Sequence, residues 1–173
     1  MRRVRWFLIL FCTLSPLAAQ AQLGLYGTFT GTRLSGPDTD WLYGGTLGAY
    51  LSHGHLVFLS TGLDLRASAG SYNGTIFDSG SIGPRIALRP HILPVTPYAE
   101  ALAGVGHASF SGNSANSVTK FEYQFLGGLD FTVLPRLDWR VVEFSYGSLA
   151  GLDNGSIHPK TLSSGLVLRI PVL

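Results

Sequence analysis

Residues 121–133 read FEYQFLGGLDFTV, with Phe121, Tyr123, Phe125, Leu129, Phe131 and Val133 on odd numbers and Glu122, Gln124 and Asp130 on even ones. A period of two marks a β-strand whose faces meet different environments. One face of this strand suits apolar surroundings and the other suits polar partners. What those two environments are decides the fold.

The same alternation predicts eight strands, near 22–32, 41–53, 56–67, 79–90, 96–109, 121–133, 138–147 and 161–172. Most exceed the five or six residues usual in soluble sheets, and about ten tilted residues suffice to cross a bilayer. In the second strand Trp41, Tyr43, Leu47, Ala49 and Leu51 oppose Gly44, Thr46, Gly48, Tyr50 and Ser52. In the third, Val57, Leu59, Leu63 and Leu65 oppose Ser60, Gly62, Asp64 and Arg66, and in the eighth Leu162, Leu166, Leu168 and Ile170 oppose Ser163, Gly165 and Arg169. The seventh strand breaks parity, since Arg140 is even and Glu143 odd. Both share the polar face if a bulge falls near Val142, which leaves Trp139, Val141, Phe144 and Tyr146 on the apolar side.

The connections alternate in length. Short ones are expected at His53-Gly54-His55, 91–95 and 134–137, and long polar ones at 33–40, 68–78, 111–120 and 148–160. This sorting of turns and loops to opposite ends is the pattern of an up-and-down barrel in an outer membrane. The apolar-face aromatics fit it: Trp41, Tyr43, Phe121, Tyr123 and Tyr146 fall near the loop end, Phe131 and Trp139 toward the turn end, as two girdles around an aliphatic band. The expected fold is therefore all-β, an eight-stranded antiparallel up-and-down transmembrane β-barrel. The alternative is a secreted, soluble lipocalin-like barrel with its apolar face turned inward around a small apolar ligand and its charges in water.

Residues 1–21 have the parts of a secretory leader: Arg2, Arg3 and Arg5, an apolar core from Trp6 to Leu14, and Ala19-Gln20-Ala21 as a cleavage site. Residues 22–173 are expected to form one barrel domain. Cys12, the single cysteine, lies in the leader, so the mature chain has no disulfide or thiolate metal site. Three of the 12 Lys+Arg leave with the leader, and the remaining 9 against 10 Asp+Glu give a net charge of −1. That balance, without a basic cluster, excludes nucleic acid as a partner. Mean hydropathy is nevertheless positive.

The stretches TPYAEALAGVGH (96–107), FLGGLD (125–130), LDWRVVEFSYG (137–147) and SSGLVLRI (163–170) resemble the bacterial outer-membrane β-barrel family of small OmpA/OmpX-like barrels. The resemblance implies outer-membrane lipids as surroundings and the barrel assembly machinery as a partner during insertion. The long joins 33–40, 68–78, 111–120 and 148–160 would then be the loops through which any extracellular ligand is met, although no specific residue in them marks one. Members usually end in an aromatic residue, whereas this chain ends Pro171-Val172-Leu173.

The polar face carries Asp64, Glu100, Glu122, Asp130 and Glu143 against Arg66, Arg85, Arg89, Arg140 and Arg169, five of each sign. An eight-stranded barrel is only wide enough for side chains to fill it, and buried charges need partners. The set is therefore expected to be a neutral, salt-bridged plug in a non-catalytic protein without cofactors. A lower alternative takes His107, Ser109 and Glu122 as a catalytic set, by resemblance to outer-membrane lipid A deacylases. Strand parity, however, puts His107 with Val105 on the outer face and Glu122 inside. His53 and His55 lack the partners of a metal site, and Asn73-Gly74 and Asn154-Gly155 are turn signals.

Overall fold

In the computed structural model, which describes residues 21–35, 40–56, 58–90, 93–109, 117–150 and 157–172, the alternating segments become eight antiparallel strands. They are β1 (Gln22–Arg33), β2 (Trp41–Leu56), β3 (Leu59–Tyr72), β4 (Thr75–Leu88), β5 (Val95–Ser109), β6 (Ser117–Leu134), β7 (Leu137–Ala150) and β8 (Lys160–Pro171). Each pairs with its sequence neighbours, and β8 pairs back onto β1, so the sheet closes with no free edge. Both ends of the described chain lie at the turn side, where Gln22 faces Pro171 and Val172 donates its N–H to the Ala21 carbonyl.

Three local features depart from the expected connections. Residues 68–78 are not a long loop: β3 runs to Tyr72, β4 starts at Thr75, and Asn73 and Gly74 alone make the reversal. Their φ angles of 47° and 81° suit the two-residue hairpin turn that matches strand twist, and Asn-Gly is the pair that tolerates it. His53-Gly54-His55 is not a turn either. It lies inside β2, where His53 pairs with Thr61 and His55 with Ser60 around a bulge, and pairing continues to Leu56 and Leu59. Finally, loop 111–120 is shortened because β6 already begins at Ser117. Parts of 33–40, 111–120 and 148–160 fall outside the described residues.

The bulge expected in β7 is present. Pairing with β8 shifts between Arg140 and Glu143, both of which point inward, while Trp139, Val142, Phe144 and Tyr146 point outward. The added residue restores inward parity for two charged side chains that sequence spacing alone would place on opposite faces.

The two faces now have identities. All eight strands put large apolar groups on the outer wall, among them Phe29 (65% exposed), Leu47 (71%), Leu65 (57%), Ile82, Val105, Phe125, Phe144 and Leu166. A soluble monomer exposes apolar patches of only a few hundred Å². Asp64, Glu122 and Arg140 are by contrast fully buried. This inside-out distribution overturns the soluble lipocalin-like alternative, whose charges would have to face water. At the loop end the outward rings touch one another: Phe29 stacks on Tyr43 at 6.2 Å between centroids, Tyr43 meets Tyr72 edge-on at 6.3 Å, and Tyr123 meets Phe125 at 6.2 Å.

Candidate functional site

Three tyrosines prepare the interior. Tyr26, Tyr50 and Tyr98 point inward, and each faces a glycine directly across its strand pair: Gly48, Gly24 and Gly128 respectively. Each ring lies flat over that glycine, so that a Cβ there would fall inside it. With no side chain beneath, the rings lie against the wall and present their faces to the lumen. Arg85 sits over Tyr50 and Tyr98 at 4.3 and 3.8 Å, and Arg140 over Tyr26 and Tyr98 at 4.2 and 4.7 Å. The aromatic faces thus hold the guanidinium planes in place before any carboxylate is considered.

The carboxylates complete a closed ring. Arg66 Nη2 reaches Glu100 Oε2 at 2.8 Å, Glu100 pairs with Arg85, and Arg85 Nη2 reaches Asp130 Oδ2 at 3.1 Å. Asp130 Oδ1 then accepts from Arg140 Nε at 3.0 Å, Arg140 Nη1 reaches Glu143 Oε2 at 3.0 Å, and Glu143 Oε1 returns to Arg66 Nη1 at 2.8 Å. Three arginines and three acids therefore alternate around a six-membered cycle drawn from β3 to β7. A fourth acid, Asp64, hangs from Arg66 Nε at 3.3 Å and accepts from Tyr26 Oη at 2.8 Å. Tyr98 Oη donates to Glu143 Oε2 at 2.6 Å. Desolvating these charges is expensive, and the ring answers the cost by giving every arginine at least two acceptors.

Not every expected member joins it. Glu122 has no arginine partner among the described residues; its Oε1 accepts from Gln124 Nε2 at 2.6 Å, and its Oε2 lies over Gly106. Arg89 lies past the end of β4 and donates to the neutral amide of Gln22 instead of a carboxylate. Arg169 pairs with Asp138 at 2.7 Å, and Asp138 is a residue the sequence reading missed. Its even parity with Arg140 on β7 was the available signal. Six inward acids thus face five arginines, and the interior set is not the neutral five-and-five expected.

Above the ring, inward parity carries apolar groups. Leu34, Leu42, Phe77, Ala108 and Leu149 form a buried cluster, with Ile157 packed against it, across the loop-side mouth. The alternation gave no hint of this, because Leu42, Phe77, Ala108 and Leu149 occupy the polar face of their strands, Leu34 lies just past β1, and they meet only through closure.

The catalytic alternative is not assembled. His107 and Ser109 lie at the loop end of β5 on its outer side, where His107 Nδ1 shares a 2.7 Å hydrogen bond with Thr119 Oγ1. Glu122 is on the opposite face of the wall, buried. The acid beside His107 is Asp78, its partner across the β4–β5 pair. Both border a shallow groove of about 480 Å³ on the outer wall, floored by Ala67, Ala69 and Gly80.

No protein-family model matches the chain, and no curated protein matches it by sequence. Solved structures do. Neisserial surface protein A superposes with a TM-score of 0.61 at 18% identity, covering 84% of this chain and 96% of that one. The attachment invasion locus protein Ail of Yersinia pestis gives 0.59 at 18% identity, covering 89% of this chain and 100% of that one. The outer membrane enzyme PagL gives 0.48 at 20% identity, covering 86% and 99%. This chain has the fold of the small outer-membrane β-barrels.

The charge ring and, toward the loop end, the apolar cluster both lie inside the barrel wall. The ring depends on the glycines under its tyrosines. Gly128→Ala is expected to push the Tyr98 ring off the wall, break its bond to Glu143 and lower stability by about 1–3 kcal/mol. Gly127→Ala is the control, since a Cβ there would meet only the Tyr98 carbonyl at 3.7 Å. Urea titration of the two folded variants separates them; equal midpoints would show that the tyrosine seat is dispensable.

Proposed function

We propose that the protein is a non-catalytic outer-membrane barrel, exported by a cleaved leader at residues 1–21 and inserted by the barrel assembly machinery. It occupies the membrane as a sealed wall and presents the connections 33–40, 111–120 and 148–160 outside, for envelope integrity or surface interaction. The observation that carries the reading is the apolar outer wall around a charge-ring interior. A wall of this kind is stable only in lipid, and an interior of this kind leaves no open aqueous path. Residues 68–78 drop out of the set of loops, because they fold as a tight hairpin. The non-catalytic part of the proposal is supported by the separation of Glu122 from His107 and Ser109 on opposite faces of the wall.

Envelope fractionation with gels run with and without boiling tests this reading. The protein is expected in the outer membrane, in a compact form whose mobility shifts on heating, with the acyl content of the envelope lipids unchanged by overexpression. Recovery as a soluble protein without detergent would sink the membrane reading. Loss of an acyl chain that depends on Ser109 would sink the non-catalytic one.

A further inference from the structure

The central ring satisfies its own arginines, whereas the turn-side mouth does not. There Arg169 contacts Asp138 at 2.7 Å and donates from Nη2 to Thr132 Oγ1 at 3.2 Å. Arg89 has no carboxylate partner among the described residues, and its Nη1 donates to the Gln22 side-chain carbonyl. β1 and β4 are not neighbours in the barrel, so this bond spans the mouth of the lumen. Among the described side chains that face into this mouth, two guanidiniums stand against one carboxylate.

The donors are also incompletely used. The Nε–H groups of both Arg89 and Arg169 are buried and have no hydrogen-bond partner among the described residues. Gln22, which accepts from Arg89, lies on β1 directly beside β8, the strand that carries Arg169. Burial holds Arg89 below its ordinary value, with the Arg169 and Arg85 guanidiniums adding to the effect and Tyr50 and Asp138 opposing it. The surplus acid of the central ring does not offset the two cations at the mouth: Asp64 is engaged by Arg66 and Tyr26. A partly buried cation facing a like charge is costly until an anion joins it.

We propose that Arg89 and Arg169 form a binding site for a small oxyanion at the turn-side mouth of the barrel. Their unused Nε–H donors are the anchors, and Gln22 and Thr132 are neutral neighbours already held by the same side chains. The planar donor fork of a guanidinium matches the paired oxygens of a phosphate or carboxylate better than it matches a spherical ion. The ligand class is therefore a phosphate or carboxylate group on a soluble molecule. In the orientation proposed above, it reaches the site from the periplasm.

The test uses the whole barrel folded in detergent micelles, with inorganic phosphate titrated at constant ionic strength against chloride. Arginine Nε–H NMR signals are the readout, assigned with Arg89→Gln and Arg169→Gln. The signals of Arg89 and Arg169 are expected to move saturably while those of Arg66, Arg85 and Arg140 stay still. Either Gln substitution is expected to weaken binding about tenfold, the equivalent of one charge-assisted hydrogen bond. Arg89→Lys, which keeps the charge and loses the fork, covers the case in which the Gln variant does not fold, and is expected to weaken binding less. Displacement of phosphate by acetate would extend the site to carboxylates, and failure to displace would restrict it to phosphates. Shifts linear in phosphate, or surviving in the Arg89→Gln/Arg169→Gln double variant of a heat-shiftable barrel, would overturn the site.

Discussion

Arg140→Met is expected to destabilise the folded barrel by about 3 kcal/mol, at the lower end of the range for removing one partner of a buried ion pair. Arg140 is fully buried and joins Asp130 to Glu143, so its loss opens the cycle and leaves two buried carboxylates short of a donor. Arg85 still holds Asp130, and Arg66 with Tyr98 still holds Glu143, which is why the upper end of the range is not expected. Arg169→Met is the comparison. Its side chain is 15% exposed at the mouth and it holds the single acid Asp138, so the expected loss is smaller, about 1–2 kcal/mol. Urea unfolding followed by tryptophan fluorescence and by the unheated gel band measures both. A double-mutant cycle of Arg140→Met with Glu143→Gln then isolates their coupling. Equal losses for the two arginines would mean that the ring is not a cooperative unit.

The second large effect lies on the outer wall. Leu65 is at the centre of β3, is 57% exposed and is paired across the sheet with Ala49 and Ile82. Leu65→Arg is expected to cost about 2–4 kcal/mol when the barrel is folded into lipid vesicles, the penalty of a cation near the bilayer midplane. Val133→Arg, at the turn end of β6, is expected to cost only about 0–1 kcal/mol. This depth dependence discriminates the environments, because water around the wall would leave both substitutions within about 0.5 kcal/mol of the parent. A flat profile from Leu65 to Val133 would reject lipid as the solvent of this surface.

Much of this was legible along the chain. FEYQFLGGLDFTV states its two faces without reference to any other segment, because alternate side chains of a strand point opposite ways wherever the strand lies. The parity break at Arg140 and Glu143 likewise announced its bulge. Strand ends were less legible. Polar residues such as Ser68, Ser71 and Asp78 read as loop, yet the positive φ angles available at Asn73 and Gly74 let the hairpin close tightly and carried β3 and β4 onward. At His53-Gly54-His55 the reverse held: a glycine that read as a turn absorbed a bulge inside β2.

The charged set divides along the same line. Inward parity identified Arg66, Arg85, Glu100, Asp130, Arg140 and Glu143, but it assigned Arg89 and Glu122 to the same network and overlooked Asp138. Period-two alternation settles which residues share a side of the wall, while the sorting of short and long joins and the aromatic girdles pointed to the up-and-down order and to the apolar face as the outer one. Height along the barrel and partners across it are set by register and closure. Arg66 and Glu143 are 77 residues apart in the chain, and they touch only because closure brings β3 and β7 within reach of each other's inward side chains. Closure likewise gathered Leu34, Leu42, Phe77, Ala108 and Leu149 into a cluster and left Arg89 and Arg169 at the far mouth. A strand carries its own two faces, but the depth at which its side chains meet those of distant strands exists only after the sheet has closed.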